Sequence, residues 1–341
     1  MLHFENDYVL GACQKVLQAL IDTNEIKMSG YTHDDYHKVA SEKIKKACGI
    51  DSAQVYFLTG GTQTNAIVID AMLAPCEGVL SVDTGHINIL EAGAIEYTGR
   101  KIITLQGENG KFVLKDLEQY LDDFFKNVGN DHMVRPGMVY ISLPTELGTL
   151  YSKCELQKLY SICKKFNIKL FIDGARLGYG LMSPKCDLDL RTVAENCDIF
   201  YLGGTKIGAL CGEAVVFTKN NMPEYFLSFV KQHGALLAKS RLISVQFDAL
   251  FTDDLYFDLS RHAIKMAMKL KNILQEKGYK FFVDSFTNQQ FIIVDNRKMK
   301  KIAEKVKFSI WKKLDEDNTV IRFVTSWSTS EEDIEKLEEI L

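Results

Sequence analysis

The sequence predicts an α/β protein with a mostly parallel sheet in a large domain and a smaller α+β C-terminal domain. Three observations lead there. Short β-rich apolar runs alternate with helical patterns between residues 55 and 217. Several of these runs stop at a glycine-bearing or charged turn, as strands do when their C-terminal ends carry a ligand site. From Met222 the pattern changes to a long helical stretch, then to short strands interleaved with helices.

Length and composition set the bounds. A chain of 341 residues suits two domains better than one, and 46% hydrophobic with 25% charged residues is an ordinary globular balance. The expected division is an arm at 1–30, a large domain at 31–222 and a small domain at 223–341. A net charge of −4 gives no bias toward nucleic acid or membrane. The eight cysteines contain no C-x-x-C pair and do not cluster with histidines. That pattern predicts reduced thiols in a cytoplasmic protein and no metal site. Glu5 and Asp7 come early and no basic-then-apolar leader is present, so no signal peptide is expected. No apolar run approaches the roughly 20 residues of a membrane span.

In order, Cys13–Ile21 has helical apolar spacing, and Gly30–Tyr36 is a polar, aromatic loop. Val39–Cys48 reads as an amphipathic helix ended by Gly49. Val55–Leu58 is a strand that runs into Thr59-Gly60-Gly61-Thr62-Gln63-Thr64-Asn65 and an apolar helix, Ala66–Leu73. Strand, Gly-Gly-Thr turn and helix make a phosphate cradle at Gly61 and Thr62, because glycine admits close approach and open N–H groups meet the anion. A plain strand–helix turn has the same pattern. Gly78–Val82 is a strand delivering Asp83-Thr84-Gly85-His86. Arg100–Leu105 and Gly137–Ser142 are further strands, with a helix at Asp116–Phe125 between them. Lys153–Phe166 is a helix packing on the sheet. Glu213–Phe217 is the last strand, expected to be antiparallel and at the sheet edge. The helical stretch from Met222 to Lys277 breaks near Thr252-Asp253-Asp254. Strands follow at Lys280–Val283, Gln290–Val294 and Thr319–Thr325, then a helix from Ser330. Arg322 lies in an alternating apolar strand, an odd place for a charge unless it is paired.

The chemistry concentrates between Lys169 and Lys206. One strand-like run ends in Asp173-Gly174-Ala175-Arg176, and the next, Asp198–Leu202, ends in Gly203-Gly204-Thr205-Lys206. An acid and an amine at the C-terminal ends of strands a few apart suit pyridoxal 5′-phosphate. The lysine would hold the cofactor as a Schiff base and the acid would pair with the pyridine nitrogen.

With these motifs the chain resembles the fold-type I, aspartate aminotransferase-like pyridoxal phosphate enzymes. Within them it resembles the threonine aldolase and aromatic amino acid β-eliminating lyase group. The resemblance rests on Thr59–Asn65, Gly85-His86 through Glu91-Ala92-Gly93, Asp173–Arg176, Thr205-Lys206 and Ile321-Arg322-Phe323-Val324-Thr325. It implies a seven-stranded sheet, a homodimer or homotetramer, and an amino acid substrate. It also implies that His86 stacks on the cofactor ring, where it could accept or relay a proton, that Thr205 joins Gly61, Thr62, Asp173 and Lys206 in binding the cofactor, and that Arg322, with Arg176 as a second candidate, grips the substrate carboxylate. Asn6 would help bind that carboxylate, or would simply cap a helix. Lys231 and Lys239 fall where the family reaches toward the cofactor phosphate, and solvated helix lysines are the plainer reading. Threonine aldolases carry a histidine in an Asn-Thr-His segment near the substrate hydroxyl. This chain has Glu146 there, either as a substitute base or as a loop residue.

The implied reaction is cleavage of the Cα–Cβ bond of a β-hydroxy-α-amino acid, with threonine giving glycine and acetaldehyde. β-Elimination, racemisation and transamination use the same cofactor. A non-catalytic nucleotide-binding protein on a doubly wound sheet is the reading from another class, and it leaves Lys206, Asp173 and Arg322 without a purpose.

Overall fold

A computed structural model describes residues Met1–Leu341. Seven strands form the central sheet: β1 (Gln54–Leu58), β2 (Glu77–Val82), β3 (Lys101–Leu105), β4 (Arg135–Ser142), β5 (Lys169–Asp173), β6 (Ile199–Gly203) and β7 (Glu213–Phe217). Their spatial order is β1-β7-β6-β5-β4-β2-β3. The neighbours from β6 to β3 all pair in parallel, whereas β7 is antiparallel to both β6 and β1.

The apolar runs are continuous because both faces of the sheet are covered. Alternate residues of one strand enter different cores. Phe200 and Leu202 join a large core on one face, and Ile199 and Tyr201 join a second core on the other. The antiparallel direction of β7 is as expected, but its position is not. All five of its residues are buried, and it lies between β6 and β1. The tight turn after Lys206 brings the chain back beside β6, and β1 then pairs with the far side of β7. The true edges are β1 and β3. Asp173 and Lys206 consequently follow adjacent strands rather than strands a few apart.

Local rules set the helix ends. Asp34 caps Asp35–Cys48 by accepting the His37 N–H, and Gly49 closes that helix at φ 65°. This helix takes in Asp35 and Tyr36, which the sequence pattern left in the loop. The phosphate-cradle helix spans Gly61–Met72, so its first turn is the motif itself. The stretch after Met222 forms three helices, Phe226–Gln232, Arg241–Leu250 and Leu255–Glu276. The break at Asp253-Asp254 appears as expected, and a second follows Gln232 where Gly234 takes φ 66°.

A second sheet, ordered Lys280–Phe281, Gln289–Asp295, Asn318–Val324, Ser309–Lys313, is antiparallel throughout. The strand Ser309–Lys313 and the helix Asn296–Ala303 had no clear sequence pattern. The polar Lys298-Met299-Lys300-Lys301 run hides the helix, and exposed Lys312 and Lys313 hide the strand. Leu2–His3 pairs in parallel with Val306–Lys307, and Phe4 enters this domain's core edge-on to Phe323. The N-terminal arm is therefore pinned to the second sheet.

Candidate active site

The C-terminal ends of β4, β5 and β6 and the first turn of Gly61–Met72 surround one cavity. Among the residues that line it are Gly61, Thr62, His86, Glu146, Asp173, Arg176 and Lys206. Seven of the ten residues singled out from sequence thus meet in one place. Asn6, Thr205 and Arg322 do not line it.

Asp173 ends β5 and is 5% exposed. Its Oδ2 accepts the Tyr140 hydroxyl at 2.6 Å and the Asn65 amide at 3.0 Å, and its Oδ1 accepts the Tyr201 hydroxyl at 2.5 Å and the Ala175 N–H at 3.0 Å. Burial would raise its pKa. The His86 charge and the Tyr140, Tyr201 and Asn65 hydrogen bonds outweigh burial and hold it below the ordinary aspartate value. Asp173 is an anion locked in one orientation.

His86 follows β2. Its Nδ1 lies 2.6 Å from Glu91 Oε1, which also accepts the Asn65 amide at 2.7 Å. Burial favours the neutral ring, but Glu91 and Asp173 prevail and raise the imidazole pKa. Glu146 Oε1 accepts the His86 N–H at 2.8 Å and the Ser142 hydroxyl at 2.6 Å. Burial nevertheless dominates and raises the Glu146 pKa, so this carboxyl is readier than usual to hold a proton. The loop reading and the chemical reading of Glu146 converge: it is a loop residue, anchored through one oxygen, with its side chain at the cavity.

Lys206 lines the cavity, and its amine makes no hydrogen bond to another side chain. Burial lowers its pKa and Arg176 lowers it further, against the pull of Asp7, Asp173 and Glu213. A lysine depressed in this way is the state that nucleophilic chemistry requires. Tyr179 donates to the Lys206 carbonyl at 2.5 Å and fixes the backbone.

Arg176 is already bound. Its Nε and Nη2 grip Asp7 at 2.6 and 3.0 Å, a buried bidentate pair. Arg322, on the second sheet, has no carboxylate partner. Its Nη1 donates to Gln289 at 2.8 Å and its Nη2 to Ser309 at 3.2 Å, and its Nε is buried without an acceptor. Burial and the nearby Arg176 charge push its pKa down to about 10. An orphaned buried guanidinium donor is what a carboxylate ligand would satisfy.

Thr205 works on the turn instead of the cavity. Its hydroxyl donates to Glu213 at 2.9 Å and accepts the Gly212 N–H at 3.0 Å. Asn6 makes a local turn, its Oδ1 accepting the Tyr8 N–H at 2.9 Å, and it is the buried acid beside it, Asp7, that reaches a site residue by pairing with Arg176. Lys231 sits over the Tyr31 ring at 5.4 Å, and Lys239 lines a separate groove.

Sequence reasoning did not assign roles to Tyr140, Tyr201, Glu91, Asn65, Asp7 or Glu213. Asn65 and Glu91 lie inside motifs already singled out, and Asp7 adjoins Asn6. The tyrosines were legible only through strand register: Ser142 pairs with Asp173, and two-residue alternation turns Tyr140 to the same face.

These residues fit pyridoxal phosphate. No side chain caps the Gly61–Met72 helix, so its first N–H groups stay open beside the cavity at Gly61 and Thr62. A Cβ on Gly61 would come within 3.1 Å of the Tyr201 hydroxyl, so only glycine leaves that wall open. His86, Glu91 and Asp173 also lie close enough together to hold a cation. Most of their atoms are engaged with one another, Asn65 and the two tyrosines, while Glu91 Oε2 is buried without a partner.

A sequence model of the β-eliminating lyase family matches residues 5–297. A low specificity L-threonine aldolase of Pseudomonas aeruginosa is 27% identical over 278 residues, covering 80% of this chain and 78% of that protein. A solved threonine aldolase structure from Leishmania major is 36% identical with a TM-score of 0.96, covering 100% of this chain and 98% of that one. A Thermus thermophilus aspartate aminotransferase, 14% identical with a TM-score of 0.73 and covering 100% of this chain and 90% of that one, shares the fold. The site and these likenesses agree: the chain belongs to the threonine aldolase and β-eliminating lyase family of pyridoxal phosphate-dependent lyases.

Proposed function

We propose that this protein cleaves the Cα–Cβ bond of a β-hydroxy-α-amino acid, converting threonine to glycine and acetaldehyde. The carrying observation is that Lys206, Asp173, His86 and Glu146 face one cavity. When bound, pyridoxal phosphate supplies a conjugated ring that accepts the electron pair left on the substrate's Cα.

The chain's own residues do the rest. Lys206 supplies the amine that carries the cofactor. Asp173, kept anionic by its four donors, partners the ring nitrogen. Gly61 and Thr62 offer the open N–H groups that meet the phosphate, and Thr205 steadies the turn that bears Lys206. His86, its Nδ1 held by Glu91, presents its imidazole to the ring. Arg322 takes the substrate carboxylate on its unpaired Nε side, with Arg176 beside it. Glu146 accepts the β-hydroxyl proton, because one of its oxygens is anchored and burial raises its proton affinity above that of an ordinary glutamate. Asn6 keeps a supporting place in the arm next to Asp7.

Incubation with threonine and identification of the products tests this reading. Glycine with acetaldehyde supports it. Ammonia with a keto acid would make the protein a β-eliminating enzyme instead. Lys206→Ala should lose both the visible absorption of the cofactor and turnover.

We further read the chain as an arm (1–30), a large domain (31–222) and a small domain (223–341), the second sheet lying wholly within the last. A cytoplasmic homodimer or homotetramer is the expected assembly. Eight free cysteines support the compartment, and no helix is long and apolar enough to cross a membrane. Tyr8, Leu10, Tyr31 and Leu210 are exposed large hydrophobics that a second copy could cover, and sedimentation velocity would read the assembly.

A further inference from the structure

Glu213 is a buried carboxyl that the reaction above does not use. It opens β7, opposite Gly203 on one side and Leu58 on the other, and is 4% exposed. Its oxygens accept the Gly204 N–H at 3.2 Å and the Thr205 hydroxyl at 2.9 Å. The same turn is closed by the Gly204 and Thr205 N–H groups, which donate to the Gly212 carbonyl at 2.9 and 3.1 Å. Both oxygens of Glu213 are thus tied to the two residues that immediately precede Lys206.

No lysine or arginine forms an ion pair with it, and Lys206 is the cation whose charge acts on it. A carboxylate offers one acceptor oxygen to each of these two donors, and burying it is costly unless its charge is compensated. What distinguishes it from a neutral clamp is a charge fixed beside the residues that carry Lys206. The ionisable groups that exchange charge effects with it are Lys206, Asp173 at the end of β5, Tyr201 on β6, Tyr256 on the helix Leu255–Glu276, and Cys211 in its own turn.

We propose that Glu213 is a positioning residue that holds the Lys206 turn and, by its ionisation, sets the proton affinity of the Lys206 nitrogen. Burial pushes the Glu213 carboxyl up to about 8, and the Lys206 charge pulls it the other way. Each group's charge acts on the other, so the protonation of one shifts the protonation of its neighbour. A charged Glu213 favours the protonated nitrogen, and a neutral Glu213 releases it.

The proposal rests on Lys206 carrying the cofactor, and the test separates the two ideas. In the holoenzyme, the visible band of the Lys206-linked cofactor is titrated with pH for wild type, Lys206→Ala, Glu213→Gln, Glu213→Ser and Glu213→Asp. Loss of the band in Lys206→Ala upholds the underlying reading, and its persistence overturns both. With the band assigned, Glu213→Gln and Glu213→Ser should each lower the titration midpoint by about one pH unit or more. Glu213→Asp, which keeps the charge, should stay with wild type. If Glu213→Gln does not fold, Glu213→Ser carries the measurement alone. A midpoint unchanged on removing the charge would reduce Glu213 to a turn clamp and overturn the proposal.

Discussion

Asp173 receives four donors, two of them tyrosine hydroxyls from the strands on either side of β5. A hydrogen bond to a charged group contributes about 1.5–3 kcal/mol, and one pKa unit corresponds to about 1.4 kcal/mol. Tyr201→Phe should therefore move the acid limb of activity and of cofactor retention upward by about one pH unit. The direction follows from the depressed carboxylate: with fewer donors it accepts a proton at higher pH. An acid limb identical to wild type would show that the hydroxyl does nothing for the charge. Glu146 makes a separate prediction. Glu146→Gln keeps the anchored oxygen and loses the base, so threonine cleavage should fall by about 10²–10⁴-fold while the visible band of the cofactor is retained. Full activity in that variant would return the proton transfer to His86 or to water.

At the scale of elements, the site depends on how closely two strand ends approach. A Cβ on Gly203 would fall 2.3 Å from the Ala175 carbonyl oxygen, and one on Gly174 would fall 1.9 Å from that of Tyr201. Backbone faces backbone at both points, so no side chain can yield. Gly203→Ala should destabilise the fold by about 1–3 kcal/mol and loosen the cofactor, read together by thermal unfolding and absorbance. A wild-type melting curve with full cofactor occupancy would contradict this. The elements themselves were largely legible. Strands buried on both faces are runs of Phe, Ile, Val and Leu, and helix ends carry their signals, as at Asp34 and Gly49. What escaped was the placement of β7. Its direction followed from the short turn after Lys206, but its insertion beside β1 joins residues about 155 positions apart, which no local pattern encodes. The helix Asn296–Ala303 escaped because its buried stripe is reduced to Ile302.

Across the whole molecule, three parts meet at Asp7. Its carboxylate binds Arg176 at the end of the large sheet and the Asn288 amide at the start of the second sheet, and the arm that carries it hydrogen-bonds to Val324 through Phe4. Burial would raise its pKa, but Arg176 and Lys206 overcome this and lower it. For a depressed acid the stabilisation is present above the unfolded value near 3.9 and lost as pH falls through the folded value. Asp7→Asn leaves the Arg176 charge buried and unpaired, so it should cost about 3–5 kcal/mol at neutral pH. That deficit against wild type should shrink as the pH approaches the acid range. A deficit that is flat with pH would show the contact to be packing alone. This junction was invisible in the sequence, where Asn6 drew attention because of its resemblance. The difference between the neighbours is physical: one side chain turns to its own backbone, and the other is driven into a buried arginine. The cavity itself was legible wherever the chemistry lay at strand ends, at Asp173, Lys206 and His86. It was obscure where it depended on neighbours across strands, at Tyr140 and Tyr201.

The first strand of the central sheet has a single partner, and that partner is the last strand to be made. On the ribosome, residues 54–58 wait unpaired until residues 213–217 emerge and slot in beside them. The glycine turn and the lysine turn, proposed above to hold the two ends of the cofactor, are brought side by side only by that late insertion. A nascent chain stopped short of residue 213 should thus be colourless, and vitamin uptake should mark the completion of the large sheet.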